Sequence, residues 1–215
     1  MKFTFRILAA LLFSLSVGAT TLPKISVAEL FNEADMVAIV QVVDGQVLGE
    51  LEESCGAKYK ARVIRGFKGA DTEYIYFGHF HGYEIGGRYL LFLTEPSRDY
   101  RPLMSTNSRS VEAEREFMEK CSNLLTANKV MHSGNGALKI MWTGEYKYKD
   151  AVAVPNRYVA FPESVPRKPA DLGERGEFSE YVWILETSAT EYLESIAKTS
   201  APNKAPQPTP DLHPL

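Results

Sequence analysis

The sequence has little cysteine and lacks the short motifs of the common catalytic machineries. Its 215 residues include only two cysteines and two tryptophans. There is no Gly-x-Ser-x-Gly elbow of a serine hydrolase, no His-Glu-x-x-His helix of a metalloprotease, no Cys-x-x-Cys pair and no glycine-rich phosphate loop. These absences disfavour the hydrolase, redox and nucleotide-binding classes, and we expect a protein without catalytic activity.

The chain also lacks the excess of basic residues that nucleic-acid binders carry. It has 24 lysines and arginines against 27 acidic residues, which gives a formal net charge of −3. Loss of Lys2 and Arg6 with the N-terminal segment described next would make that charge −5. Because binding to phosphates requires a basic surface, we predict that nucleic acid is not a partner.

No hydrophobic run is long enough for a membrane span. Lys2 and Arg6 precede an apolar run over residues 7–15, and Val17-Gly18-Ala19 fits a small-x-small cleavage site. We predict that residues 1–19 are a secretory signal peptide and that the mature protein is soluble and periplasmic or secreted, without a stable membrane anchor. The alternative, a membrane-spanning anchor, would need about 18 or more apolar residues.

The two cysteines, Cys55 and Cys121, are 66 positions apart. In an oxidising compartment, a pair of cysteines with no other partner most simply forms one disulfide. The alternative is two buried free thiols, since cysteine is among the residues most often buried.

Alternating and continuous apolar patterns predict a mainly β protein with a few helices. Ser26 and Glu29 form a capping box for a first helix, and Ser188 and Glu191 a second one for the last helix. A further helix is predicted to begin after Ser110. The predicted strands cover residues 36–43, 58–66, 72–80, 88–94, 137–142, 152–161 and 181–186.

Three short pieces of sequence occur in an order that is typical of one known module. They are Ala34-Asp35 before an apolar strand, Phe67-Lys68-Gly69 at the end of the second strand, and Gly87-Arg88-Tyr89-Leu90-Leu91-Phe92. Over about residues 26–125 the chain resembles the netrin-like module, the OB-type barrel of tissue inhibitors of metalloproteinases and their bacterial relatives.

The resemblance implies a barrel scaffold but not the best-known activity of that family. In the inhibitors, a cysteine at the mature N-terminus chelates the zinc of the protease. Here the expected mature chain starts at Thr20 and has no cysteine before Cys55. Inhibition of metalloproteases by that mechanism is therefore not carried over, and the scaffold alone does not assign a function.

These observations together predict an α+β protein, mainly β, with an OB-like antiparallel barrel and flanking helices. We expect the barrel domain over residues 20–127 and a β-rich extension over residues 128–199 that ends in a helix. Residues 200–215 are rich in proline and polar side chains and are expected to be a disordered tail.

His79, His81 and Glu84 form a candidate metal site. Two histidines two positions apart on a strand project from the same face, and the carboxylate follows in a glycine-rich turn. Two imidazoles and one carboxylate are ligands suited to zinc or copper. The alternative is a core histidine at position 79 and a surface histidine at position 81, in which case no cofactor is needed.

Lys58, Lys60 and Arg62 form a basic stripe on the outward face of the second strand. Such a stripe is suited to an anionic polysaccharide, phospholipid head groups or an acidic protein. The alternative is a solvated face whose charges only protect the strand from aggregation. Three tyrosines, Tyr83, Tyr146 and Tyr148, are further candidates for anchoring a partner.

We therefore predict an exported, non-catalytic binding protein whose partner is a protein or an anionic polymer of the cell envelope. The alternative function is a metal-binding protein or metal-dependent hydrolase that uses His79, His81 and Glu84.

Overall fold

The computed structural model describes residues 23–48, 55–79, 82–95, 111–124, 128–170 and 181–200. The predicted signal peptide and tail lie outside these ranges, except for Ser200. In chain order the elements are β1 Ile25–Ser26, α1 Val27–Glu33, β2 Met36–Val47, β3 Ala57–Lys68, β4 Tyr74–His79, β5 Arg88–Thr94, α2 Val111–Leu124, β6 Asn128–Val130, β7 Ala137–Thr143, β8 Lys149–Pro155, β9 Val159–Ala160, β10 Lys168–Pro169, β11 Tyr181–Leu185 and α3 Glu186–Ser200.

Five of these strands close into a barrel, as the sequence predicts. Strand β2 pairs with β3 and β5, β3 pairs with β4, and the short strand β6 joins β4 to β5. The β4–β6 pairing is parallel, and the other four are antiparallel. A closed barrel of five strands is the architecture of the OB fold.

Four strands of the second half of the chain extend the same sheet, whereas β9 pairs with β1 in a separate two-stranded sheet. Strand β7 pairs with β5, and β8, β11 and β10 follow in that order. Strand β5 therefore belongs both to the barrel and to the extension. The strand that closes the barrel, β6, begins at Asn128, one residue beyond the barrel boundary expected from the sequence.

The two faces of the sheet contact two different hydrophobic cores. Val37 and Ile39 of β2 lie in a core with helices α1 and α3, whereas Ala38 and Val40 lie in the barrel interior. Strand β5 alternates in the same way. Burial on both faces explains why residues 36–40 of β2 and 89–93 of β5 are apolar at every position, as a strand covered on two sides requires.

Two of the short sequence pieces on which the predicted resemblance rests, Ala34-Asp35 and Phe67-Lys68-Gly69, meet at one junction of the fold. The Lys68 Nζ donates hydrogen bonds of 3.0 and 2.9 Å to the carbonyl oxygens of Phe31 and Asn32, which end helix α1. Gly69 has a φ of +59°, and a Cβ there would lie 2.3 Å from the Asp35 carbonyl oxygen. Only glycine fits this position, because the backbone is left-handed and the space is already filled.

The predicted pairing of Cys55 with Cys121 is present in the structure as a disulfide with a Cα–Cα distance of 5.1 Å. The bridge joins helix α2 to the segment that leads into β3. Both sulfurs lie in a small buried cluster with Leu48. The free-thiol alternative is not what the structure contains.

Two local predictions are wrong. Helix α3 begins at Glu186, directly after β11, so Ser188 lies inside the helix and does not cap it. The extended segment predicted over residues 152–161 is two strands, because β8 ends at Pro155, followed by a turn. Proline has no N–H to continue a ladder, and this accounts for the break. The first capping box, by contrast, is confirmed at Ser26 and Glu29.

Candidate functional site

The basic stripe lies on the outside of the barrel. In strand β3, Tyr59 and Ala61 are buried in the barrel interior, so the alternate residues Lys58, Lys60 and Arg62 lie on its outer face. This alternation is the one that the sequence predicts. The three cationic side chains follow one another at about 6.8 Å along the strand.

Two tyrosines of the neighbouring strand belong to the same surface. Tyr74 and Tyr76 of β4 are 37 and 46% exposed, and they pair with Arg62 and Lys60 across the β3–β4 ladder. The Lys60 Nζ lies 4.3 Å from the centre of the Tyr74 ring, and the Lys58 Nζ lies 5.3 Å from that of Tyr76. We call this surface, formed by Lys58, Lys60, Arg62, Tyr74 and Tyr76, the basic–aromatic face.

The lysines of this face are held by the aromatic rings. A cation over the face of an aromatic ring gains about 0.5–1 kcal/mol at an exposed site. Arg62 is also fixed, because its Nη2 donates a 2.9 Å hydrogen bond to the side-chain oxygen of Gln41. The face therefore presents its positive charges in an ordered row.

Strand protection does not explain the position of these charges. Over the stretch that carries the stripe, β3 is hydrogen-bonded to β2 on one side and to β4 on the other. Charges that prevent aggregation are needed where a strand has an unpaired edge. Residues 57–62 of β3 have no unpaired edge, so edge protection does not account for these charges.

The stripe ends at Arg62, although basic residues continue along β3. Bulges opposite β2 shift the register near Ile64 and Phe67. Arg65 pairs with Glu194 of helix α3, and Lys68 caps helix α1. These two cations stabilise the packing of the helices and do not belong to the face.

The residues of the predicted metal site are only in part described. His79 is the last residue of β4, with its Cα paired to that of Ala57, and His81 lies outside the described residues. The Glu84 carboxylate forms an ion pair of 2.6 Å with Lys139. Within the described ranges, no group of three histidine, cysteine or acidic side chains could hold a metal ion.

Of the three tyrosines singled out in the sequence, two are partly buried and packed against a hydrophobic cluster. Tyr83 packs edge-on against Tyr59, Phe77 and Tyr89 at ring distances of 5.0–5.1 Å. Burial raises the pKa of Tyr83, and the neighbouring Tyr59 and Tyr89 raise it further to a smaller degree. The Tyr146 hydroxyl donates a hydrogen bond to a backbone carbonyl.

Tyr148 alone of the three remains on the surface, and it stacks on Trp142. Sequence reasoning missed Tyr74, Tyr76 and Trp142. The β-strand alternation of residues 74 and 76 was a signal for the first two, since it places them on one face.

No protein-family model matches the sequence, and comparison with curated proteins yields no significant match. The resemblance to the netrin-like module therefore stays a prediction. In the part of the chain that the structure describes, no helix is long and apolar enough to cross a membrane.

Proposed function

We propose that the protein is an exported, non-catalytic binding protein that recognises an anionic polymer of the cell envelope through the basic–aromatic face. The observation that carries this proposal is the ordered row of three cations beside two exposed tyrosines, on a stretch of β3 that is paired with a neighbouring strand on both sides. A disulfide fits a protein that works in an oxidising compartment.

The form of the face favours a linear anionic chain. Its cations repeat along one strand, so they can contact successive negative groups of an extended polymer. The chain as a whole is acidic, and a local basic surface therefore selects where such a polymer binds. Because the aromatic rings hold the lysines in place, less side-chain freedom is lost on binding.

A polymer fits this face better than an acidic protein does. The core of a protein interface is depleted in lysine and has apolar anchors that become fully buried. On this face the two tyrosines are at most half exposed and are already engaged by lysines. The contacts left for a partner are electrostatic, as binding to a polyanion requires.

The test compares binding of dextran sulfate and of neutral dextran by isothermal titration calorimetry at several salt concentrations. We expect dextran sulfate to bind much more tightly than neutral dextran, with affinity that falls steeply as salt rises, whereas any binding of neutral dextran should not depend on salt. The triple variant Lys58→Gln/Lys60→Gln/Arg62→Gln should bind about tenfold more weakly, since each exposed ion pair contributes about 0.2–1 kcal/mol.

The matched control is Lys24→Gln/Arg157→Gln/Lys198→Gln, which removes three exposed cations elsewhere. Its net charge equals that of the triple variant, and its affinity should stay within twofold of wild type. Equal losses in the two variants would mean that only net charge matters and would overturn the proposed site. Binding of an acidic protein, with no binding of dextran sulfate, would replace the polymer by a protein partner.

Export has its own test. Expression of the full chain in a bacterium, followed by mass spectrometry of the periplasmic protein, should give a species that begins at Thr20. Intact protein that retains Met1 in the cytoplasm would contradict the export prediction without affecting the binding experiment.

A further inference from the structure

A second candidate site shares no residue with the basic–aromatic face. A groove of about 760 Å³ is bounded by strands β7 and β8, by the beginning of helix α3 and by the side chains of Arg65 and Arg88. Its size is within the range of about 300–1,000 Å³ that is usual for ligand sites. The hairpin between β7 and β8 forms one wall.

Two exposed aromatic rings form a platform on that wall. Trp142 and Tyr148 stack at a ring-centre distance of 4.7 Å and an angle of 29°, and each remains 65% exposed. Lys147 and Tyr148 both have positive φ, of 53° and 63°. Such a conformation is an outlier for a bulky residue, which marks this turn as a candidate functional feature.

The charged groups of the groove mostly neutralise one another. Arg88 donates hydrogen bonds of 2.6 Å to Asp150 and 2.7 Å to Glu186, and Arg65 pairs with Glu194. The other charged residues that line the groove are Lys149 and Glu191. Planar carboxylates and guanidinium groups are thus held in place beside the aromatic platform.

This lining disfavours three classes of ligand. A small apolar molecule needs a mostly apolar pocket, but only Trp142, Tyr148 and Leu185 of the lining side chains are aromatic or aliphatic. A strongly charged ligand would meet nearly equal numbers of cations and carboxylates. A protein partner is disfavoured because Lys, Glu and Asp are depleted from the cores of protein interfaces.

A neutral sugar satisfies both parts of the groove. The C–H face of a pyranose is apolar and can lie flat on an aromatic ring, while its hydroxyls both donate and accept hydrogen bonds. Carboxylates accept from hydroxyls, and guanidinium groups donate to them. Because the ion pairs fix these groups in advance, binding requires little reorganisation.

We infer that this groove binds a neutral oligosaccharide, with one sugar ring stacked on Trp142 or Tyr148 and its hydroxyls bound by the adjacent carboxylate and arginine groups. The inference does not depend on the basic–aromatic face or on the proposed recognition of a polyanion.

The test uses intrinsic fluorescence, to which the chain is well suited. The sequence contains two tryptophans, and the second one, Trp183, is only 3% exposed. A change in emission on binding therefore reports on Trp142. The probes are cellotetraose, maltotetraose, mannotetraose and chitotetraose, each titrated into the mature protein to 20 mM and checked by calorimetry.

We expect at least one of these sugars to give saturable binding. Because the two Trp142 variants lack the fluorescent reporter, affinities of the variants are compared by calorimetry. Trp142→Ala should weaken binding at least tenfold, Trp142→Phe should weaken it less, and Tyr148→Ala, which keeps the tryptophan, should also weaken it. The control Tyr76→Ala removes an exposed aromatic of the basic–aromatic face and should leave the affinity unchanged. Circular dichroism of each variant checks that it is folded.

Two results would overturn the inference. One is the absence of saturable binding for all four sugars in the wild-type protein. The other is binding that neither Trp142→Ala nor Tyr148→Ala weakens, which would place the sugar elsewhere. The triple variant of the basic–aromatic face should bind the sugars as the wild type does, so failure of one proposal leaves the other intact.

Discussion

Reduction of the disulfide should weaken the fold by an amount that follows from the length of the loop it closes. Cys55 and Cys121 are 66 positions apart, and both are fully buried. In the chain-entropy description, closing a loop of this length lowers the entropy of the unfolded chain and stabilises the fold by about 4 kcal/mol. For a protein of this size, 1 kcal/mol corresponds to about 2–4 °C in Tm, so the expected loss is about 8–16 °C.

The assay is thermal unfolding followed by circular dichroism on three samples. They are the oxidised wild type, the wild type reduced with a phosphine, and Cys55→Ser/Cys121→Ser. The reduced wild type keeps both sulfur atoms, so it separates the loss of the cross-link from the introduction of two hydroxyls into a buried cluster. Hydrogen exchange of the reduced protein should show the largest loss of protection in helix α2, which the bridge joins to the barrel.

A reduced protein that unfolds within 1 °C of the oxidised one would refute this reasoning. It would mean that contacts other than the cross-link already restrict the unfolded chain or hold α2 in place. Equal protection of α2 in the two redox states would lead to the same conclusion.

Three further predictions concern the barrel. Gly69→Ala should destabilise by more than about 2 kcal/mol, because it combines a left-handed backbone with a clash at the Asp35 carbonyl. The control Gly82→Ala, which meets no atom within 4 Å, should change stability by much less in the same urea titration. Lys68→Met keeps the aliphatic stem but loses the bonds to the end of helix α1, and should cost about 1 kcal/mol. The pKa of Tyr83 is raised in the folded protein, so above about pH 10 its hydroxyl ionises in the unfolded chain before it does in the folded one, and stability falls as pH rises. Tyr83→Phe should flatten this pH dependence of stability, and an unchanged slope would contradict the assignment.

The strands of the barrel could be predicted because the local pattern of apolar and polar residues shows which positions are buried. Strand β5 has the predicted bounds, since residues 88–94 are apolar almost throughout and both of its faces are covered. The sequence of strand β3 alternates as in a strand with one face exposed to solvent, and this alternation correctly predicts that Lys58 and Lys60 lie on the outer face.

The extent of the shared sheet could not be predicted, because it depends on which strands pair. Nothing in the local sequence of residues 137–143 indicates that β7 pairs with residues 88–91 of β5, next to the part of β5 that pairs with β6. The groove could not be predicted for the same reason. Its lining brings Arg88 of β5 and Trp142 of β7 beside Glu191 and Glu194 of helix α3, and these three elements are far apart in sequence.

The start of α3 was misplaced for a different reason. The sequence motif at Ser188 fits a helix cap, but β11 passes into the helix without a connecting loop. The packing of Leu193 and Ile196 against the sheet sets where the helix begins, and packing of this kind overrides local capping preference.

The most direct test of the central claim is to map the binding surface in the intact protein. Mature protein labelled with ¹⁵N is titrated with dextran sulfate, and amide chemical shifts are followed in heteronuclear spectra. The perturbed amides should cluster in residues 57–62 of β3 and 74–76 of β4. Perturbations centred on Trp142 and Tyr148, or spread evenly over the exposed lysines and arginines, would contradict the claim.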